Sequence, residues 1–253
     1  MQLCNASKHS YIVAGIFKSL GIVFRTVKYS ESSLILEIFT QEKGLRSFIV
    51  SGVRSSKSKQ KASLYQHLNI LDMVAYDKEE NLARIKECKI GFYYQKLPFQ
   101  IYRSSVGLFI LEVAKNSIKE REENRLLFNF IYDRLVLLDE IDKKCLSLFS
   151  IKFLLEFSVH IGFMPNNNYS DDACFFHLYK GQFFNLEEYP YTCSAETSNA
   201  ISEIDKKDIN DIHTLSYPRA LRNDILDQMI KYYHLHIENF QPLKSIDVLR
   251  SIF

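Results

Sequence analysis

The chain has 253 residues, is 47% hydrophobic and 25% charged, and carries 8 Gly, 5 Pro and no Trp. That composition excludes collagen-like, low-complexity and wholly disordered chains and leaves room for one large domain or two modest ones. The net charge of +2 hides an asymmetry, because residues 1–90 balance to +6 and residues 91–253 to −4.

From Lys18 to Gly91 the pattern is strand-like. Gly21 to Lys28 alternates Ile22, Phe24 and Thr26 against Val23, Arg25 and Val27, and Leu34 to Thr40 follows after a polar break. Gln41 to Gly44 supplies a hairpin turn into Leu45 to Val53, so these two strands are expected to pair antiparallel. Residues 54–61 (RSSKSKQK) hold Arg54, Lys57, Lys59 and Lys61 with no acid. They read as a flexible basic loop, either merely solvated or placed to track phosphates. Tyr65 to Tyr76 and Leu82 to Phe92 complete five short strands without an intervening helix, the signature of a small antiparallel barrel.

The period changes at Pro98. Phe99, Tyr102, Val106, Ile110, Val113 and Ile118 recur at helical spacing, Asn124 to Leu138 continues the stripe, and Lys144 to Phe163 is apolar on almost every side. The last of these is expected at the centre of a helical bundle. Residues 165–196 read as irregular with a short hairpin near Lys180 and Gly181, followed by a long helix from Ala220 to Phe240 and a short terminal one after Pro242. The expected fold is therefore α+β and multidomain. An extension occupies 1–17, a five-stranded barrel 18–92, and an all-helical domain 93–253 with a ribbon-like insertion at about 165–196.

Nucleotide-binding glycine loops, hydrolase elbows and metalloprotease motifs are absent from the sequence, and its seven histidines are scattered. Five dispersed cysteines without a Cys-x-x-Cys pair fit a reducing compartment. Even the run Leu146 to Phe163 is interrupted by Lys152, Glu156 and His160, so neither a membrane span nor a membrane partner is expected. Cys174 and His177, then Cys193 and Glu196, have ribbon spacing for zinc. Glu is a rare ligand in such sites, and Phe175, Phe176, Phe183 and Phe184 can pack the segment without metal. No cofactor is expected.

Lys18 to Lys59 (KSLGIVFRTVKYSESSLILEIFTQEKGLRSFIVSGVRSSKSK), Gly162 to Tyr169 (GFMPNNNY) and Tyr232 to Leu249 (YYHLHIENFQPLKSIDVL) resemble the bacterial recombination mediator family RecO. The likeness covers essentially everything after residue 17. It implies an oligonucleotide/oligosaccharide-binding (OB) barrel followed by a helical domain with a degenerate zinc-ribbon-like insertion. Many members carry four cysteines in that insertion, where Cys174 and Cys193 alone stand here. The resemblance also implies a non-enzymatic, cytoplasmic and nucleoid-associated repair protein that binds single- and double-stranded DNA without sequence preference and anneals complementary strands. With RecR, and in some bacteria RecF, it would help RecA replace single-stranded-DNA-binding protein.

On this reading the phosphate contacts are Arg25, Lys28, Arg46, Arg54, Lys57, Lys59 and Lys61. For Arg25 and Arg46, a strand charge that blocks edge pairing fits equally well. Stacking residues are sought among Phe24, Tyr29, Phe39, Phe48 and Tyr65, about half of which must fill the barrel. The acidic helical part is expected to receive proteins rather than phosphates. Two other readings stay open: an adaptor whose barrel binds partners instead of DNA, and a metal-dependent nucleic-acid enzyme built on the Cys174 region.

Overall fold

The structure, a computed structural model, describes residues 15–53, 59–77, 82–119 and 121–253, with the side chains of 59–61 outside that description. Five strands, β1 (Ile16–Lys28), β2 (Leu34–Thr40), β3 (Gly44–Val50), β4 (Ile70–Tyr76) and β5 (Ala83–Ile90), close into a barrel in the order β1-β2-β3-β5-β4. The 13-residue β1 makes closure possible by pairing with β4 through its first half and with β2 through its second. A parallel β3–β5 pairing at Phe48 with Ala83 and Ile49 with Arg84 seals the last seam. This is the OB arrangement of a small Greek-key barrel. Its interior is packed by Val23, Leu36, Ile38, Phe48, Leu71 and Met73.

Two local expectations are corrected. A short helix α1 (Lys59–Leu64) stands between β3 and β4, so Lys59 and Lys61 lie on helix rather than loop. In addition, β4 begins at Ile70 rather than Tyr65, because Leu68 takes a left-handed φ of 73° and turns the chain.

The helical part comprises α2 (Ile101–Ser117), α3 (Arg125–Glu140), α4 (Leu146–His160), α5 (Ala195–Lys206), α6 (Arg219–His236) and α7 (Ile246–Ile252). Helix α4 is central, as its all-round apolarity predicts. Its buried Lys152 donates to the Asp205 carbonyl at 2.8 Å and lies 3.6 Å from Glu156, so no charge is left uncompensated. Residues 165–196 hold a hairpin, β6 (Phe175–His177) with β7 (Gln182–Phe184), whose Phe176 packs against both Phe183 and Tyr232 of α6. Among the described residues no helix is long and apolar enough to cross a membrane.

The barrel and helices share one core. Ile22, Phe24, Phe39, Leu68 and Ile70 of the barrel pack into the helical cluster, with Phe39 lying 5.6 Å from Phe24 and 5.7 Å from Phe128 of α3. Gly107 lets α2 approach the barrel, since a Cβ there would sit 3.0 Å from the Leu68 side chain. At the β2–β3 turn, Gly44 has φ of 63°, and a Cβ would fall 2.2 Å from the Glu122 carbonyl in the α2–α3 connection. Only glycine fits there. The connection after β5 is pinned by buried Asp139, which accepts from the backbone N–H groups of Gln95, Lys96 and Leu97 at 2.8, 2.8 and 2.5 Å.

Candidate nucleic-acid interface

Side chains directly opposite one another on paired strands share a face. Val27 is opposite Ile35, Ile35 is opposite Ile49, and Ile49 is opposite Arg84. These four residues form a row across β1, β2, β3 and β5 on the outer side of the barrel, away from interior Leu36 and Phe48. Past Val27, Tyr29 is 65% exposed at the end of this row, while Lys28, opposite interior Leu34, is an exposed cation at the strand end with the other parity. Next to the first row runs a second, Arg25, Glu37 and Ser47. A third, Phe39 and Leu45, is covered by the helical part.

Arg25 reaches outward because β1 bulges between Val23 and Arg25. The bulge breaks the alternation expected from Gly21 to Lys28: Phe24 joins Ile22 in the helical core, and Thr26 is opposite interior Leu36. The Arg25 guanidinium lies 3.6 Å from Glu37, whose other oxygen is 2.7 Å from the Lys115 ammonium of α2. His67 stands nearby, its pKa lowered first by burial and then by Lys115 and Arg25.

The residues expected to contact phosphate divide. Arg25 and Lys28 lie on the same half of β1 and are exposed or half-exposed. Arg46 is opposite Ile38, on the inward-facing parity, and its Nε donates to the Lys43 carbonyl at 3.1 Å, away from the outer rows. Lys59 and Lys61 are on α1, while Arg54 and Lys57 lie outside the described residues. Of the five aromatics considered for stacking, Phe24, Phe39, Phe48 and Tyr65 are buried and Tyr29 is exposed.

Sequence reasoning missed Arg84 and Lys86, both exposed on β5. Their signal is the cation-rich alternation of ARIKECKI, blurred by a second bulge between Val74 and Ala75 on the partner strand. On the opposite flank, Lys18 and Lys89 lie 3.9 and 3.2 Å from Asp72, and Glu87 sits beside them, so that patch is largely self-neutralised.

The possible zinc ligands are not brought together. Among the described residues, no group of three His, Cys, Asp or Glu side chains is placed to hold a metal ion. His177 spends both ring nitrogens on protein: Nε2 lies 3.2 Å from Glu188, and Nδ1 accepts from the Lys180 N–H at 3.3 Å. Cys193 is buried, and burial pushes its thiol up to about 12. These side chains do not fit a zinc site.

A family model described as Recombination protein O N terminal matches residues 14–94, and one described as Recombination protein O C terminal matches 98–246. A protein named DNA repair protein RecO from Phocaeicola vulgatus is 34% identical over 238 residues, covering 93% of this chain and 98% of its own. Proteins of the same name from Flavobacterium psychrophilum (33% over 238 residues, 93% and 98%) and Christiangramia forsetii (31% over 235 residues, 92% and 97%) are similar along the same span. With one model on the barrel, a second on the helices, and relatives above 30% identity aligned nearly end to end, the chain belongs to the recombination protein O family of DNA repair proteins.

Proposed function

We propose that this protein is a non-enzymatic recombination mediator whose barrel grips the backbone of single- and double-stranded DNA without reading sequence. One observation carries the reading: the outer row Val27, Ile35, Ile49 and Arg84, with Tyr29 at its end and exposed Arg25, Lys28 and Lys86 near it. Cations there neutralise phosphates and release counterions, while the apolar strip and Tyr29 offer surfaces for base faces. Contacts of this kind leave base-pairing edges free, which suits annealing of complementary strands. Partner proteins belong to the same reading: RecR, single-stranded-DNA-binding protein, RecA through them, and RecF in some bacteria.

Binding of a fluorescent oligothymidylate is measured against salt. If four phosphates are contacted, log affinity falls against log salt with a slope of about −3. Strand annealing with single-stranded-DNA-binding protein present then separates a mediator from an adaptor. A chain that binds partner proteins but no DNA at ~50 mM salt, where electrostatic binding is strongest, is an adaptor.

A further inference from the structure

Between barrel and helices lies an open cleft of about 460 Å³, lined by Phe24, Arg25 and His67 on one side and by Leu108, Leu111, Glu112, Lys115, Lys244 and Ser245 on the other. Its floor is apolar: Phe24 and Leu111 are nearly buried, and Leu108 of α2 is 44% exposed although it sits on a helix in contact with the core. Three cations stand around that floor, Arg25 from the barrel and Lys115 and Lys244 from the helical part. The acid in the lining is already engaged. Glu112 accepts from the backbone N–H groups of Lys244 and Ser245 at 2.8 and 2.9 Å and from the Ser245 hydroxyl at 2.6 Å, capping the approach to α7. Glu37, just behind, is shared by Arg25 and Lys115. His67 adds no charge near neutral pH, since burial, Lys115 and Arg25 all disfavour its protonated form.

We infer that this cleft is a nucleotide-binding subsite, into which a single strand leaving the barrel face turns so that Lys115 and Lys244 hold its phosphates and the Leu108 floor takes a base. The inference rests on the DNA-binding reading above and extends it to the helical part, which the acidic balance of residues 91–253 would have left to proteins. Charge and continuity support it. Arg25 belongs both to the outer strand rows and to the cleft wall, so Arg25, Lys115 and Lys244 make one track from barrel to helices. An apolar floor with cations at its rim matches the two halves of a nucleotide, a planar base and an anionic phosphate.

The test compares salt-dependent binding of a 25-residue oligothymidylate by the intact chain and three variants, each checked for folding by thermal melting. Lys115→Gln with Lys244→Gln removes two phosphate contacts, and the slope is expected to shrink by about 1.4. Leu108→Glu places a carboxylate where the base lies, and the expected loss is about tenfold at ~100 mM salt. Lys28→Gln with Arg84→Gln, on the barrel alone, should also lower the slope. If that barrel variant weakens binding while both cleft changes leave slope and affinity untouched, the strand does not enter the cleft and the inference fails with the DNA reading intact. If the unaltered chain shows no salt-dependent binding, the DNA reading itself fails. If Leu108→Glu abolishes binding of an acidic peptide ending in Phe but leaves DNA binding unchanged, the cleft is a peptide site and the inference is overturned.

Discussion

Glu37 faces two cations at once, Arg25 at 3.6 Å and Lys115 at 2.7 Å, in the position a phosphate would need on the proposed track. An internal carboxylate there holds both side chains in place and competes with DNA for them. Replacing it with Gln removes the competitor with little change of shape. For half-exposed pairs the interaction is modest, so Glu37→Gln is expected to tighten single-strand binding by roughly two- to fivefold in a low-salt titration. Weaker binding would show that Glu37 mainly organises the cations rather than opposing DNA. Asp139 acts at the same scale but on stability. Its carboxylate gathers three backbone N–H groups of the segment joining barrel to helices, in a buried position. Asp139→Ala leaves those donors without partners and should cost about 3 kcal/mol in urea unfolding, because each buried orphan donor carries a desolvation penalty. A loss below ~1 kcal/mol would mean that water replaces the carboxylate.

At the scale of elements, the ribbon-like hairpin is held by hydrogen bonds. Strand β6 presents His177 to Glu188, Tyr191 lies parallel to the His177 ring at 5.9 Å, and Lys180 reaches the same carboxylate at 3.4 Å. The His177 hydrogen bond, followed by Lys180, holds the Glu188 carboxyl below its ordinary 4.5. A depressed carboxylate stabilises the fold above its unfolded pKa, and that contribution is lost as pH falls through the folded value. The hairpin should therefore loosen in acid, as pH falls below the ordinary carboxyl value of 4.5, seen as faster amide hydrogen exchange at Leu178 and Cys193 than in the α4 core. A chelator should leave the melting temperature unchanged within about 1 °C, since structural zinc, where present, contributes folding energy outright. A fall of several degrees would establish a metal that the side-chain geometry does not suggest.

The hairpin itself was legible in the sequence, from Gly181 between short aromatic runs, as were the five strands and the buried α4. Helix α5 was not. Its marks are small: Ser194 accepting from the Thr197 N–H at 3.2 Å, Glu196 in the first turn, and Ala200, Ile201 and Ile204 as a narrow buried stripe. They follow directly on an irregular stretch whose spacing drew the reading toward zinc. Helix α1 was hidden by its basic, weakly apolar sequence. The outer face of the barrel was half legible, because bulges in β1 and β4 reset the alternation that assigns Arg25, Lys28, Arg84 and Lys86 to a side. The parallel closure of β3 onto β5 joins segments some 35 residues apart and has no local signal, so neither the row ending at Arg84 nor the cleft beside Lys115 could be read from one strand at a time.

For the molecule as a whole, the question is whether barrel and helices behave as two bodies or one. The composition shift near residue 92 suggests two, but the packing argues for one. Ile22, Phe24, Phe39, Leu68 and Ile70 are counted in the helical core, Gly44 is seated against Glu122, and Gln41 and Glu42 of the β2–β3 turn bond to Asn129 and Arg125 of α3. A fixed relation is what the proposed track needs, since Arg25 and Lys115 come from different halves and must stay within reach of one strand. The contact at its centre is Phe128, buried between Phe39 and Tyr132. Phe128→Ala would open a cavity at the seam and should cost about 3–5 kcal/mol if the site cannot collapse. The unaltered chain should unfold in one cooperative urea transition, with the most protected amides of β2 and α4 exchanging at the same free energy. In Phe128→Ala the two sets should separate, the β2 amides opening first, and single-strand affinity should fall together with barrel protection rather than with helix protection. Two transitions in the unaltered chain would mean that the halves move independently, and a DNA track shared between them would then lack the rigidity on which it depends.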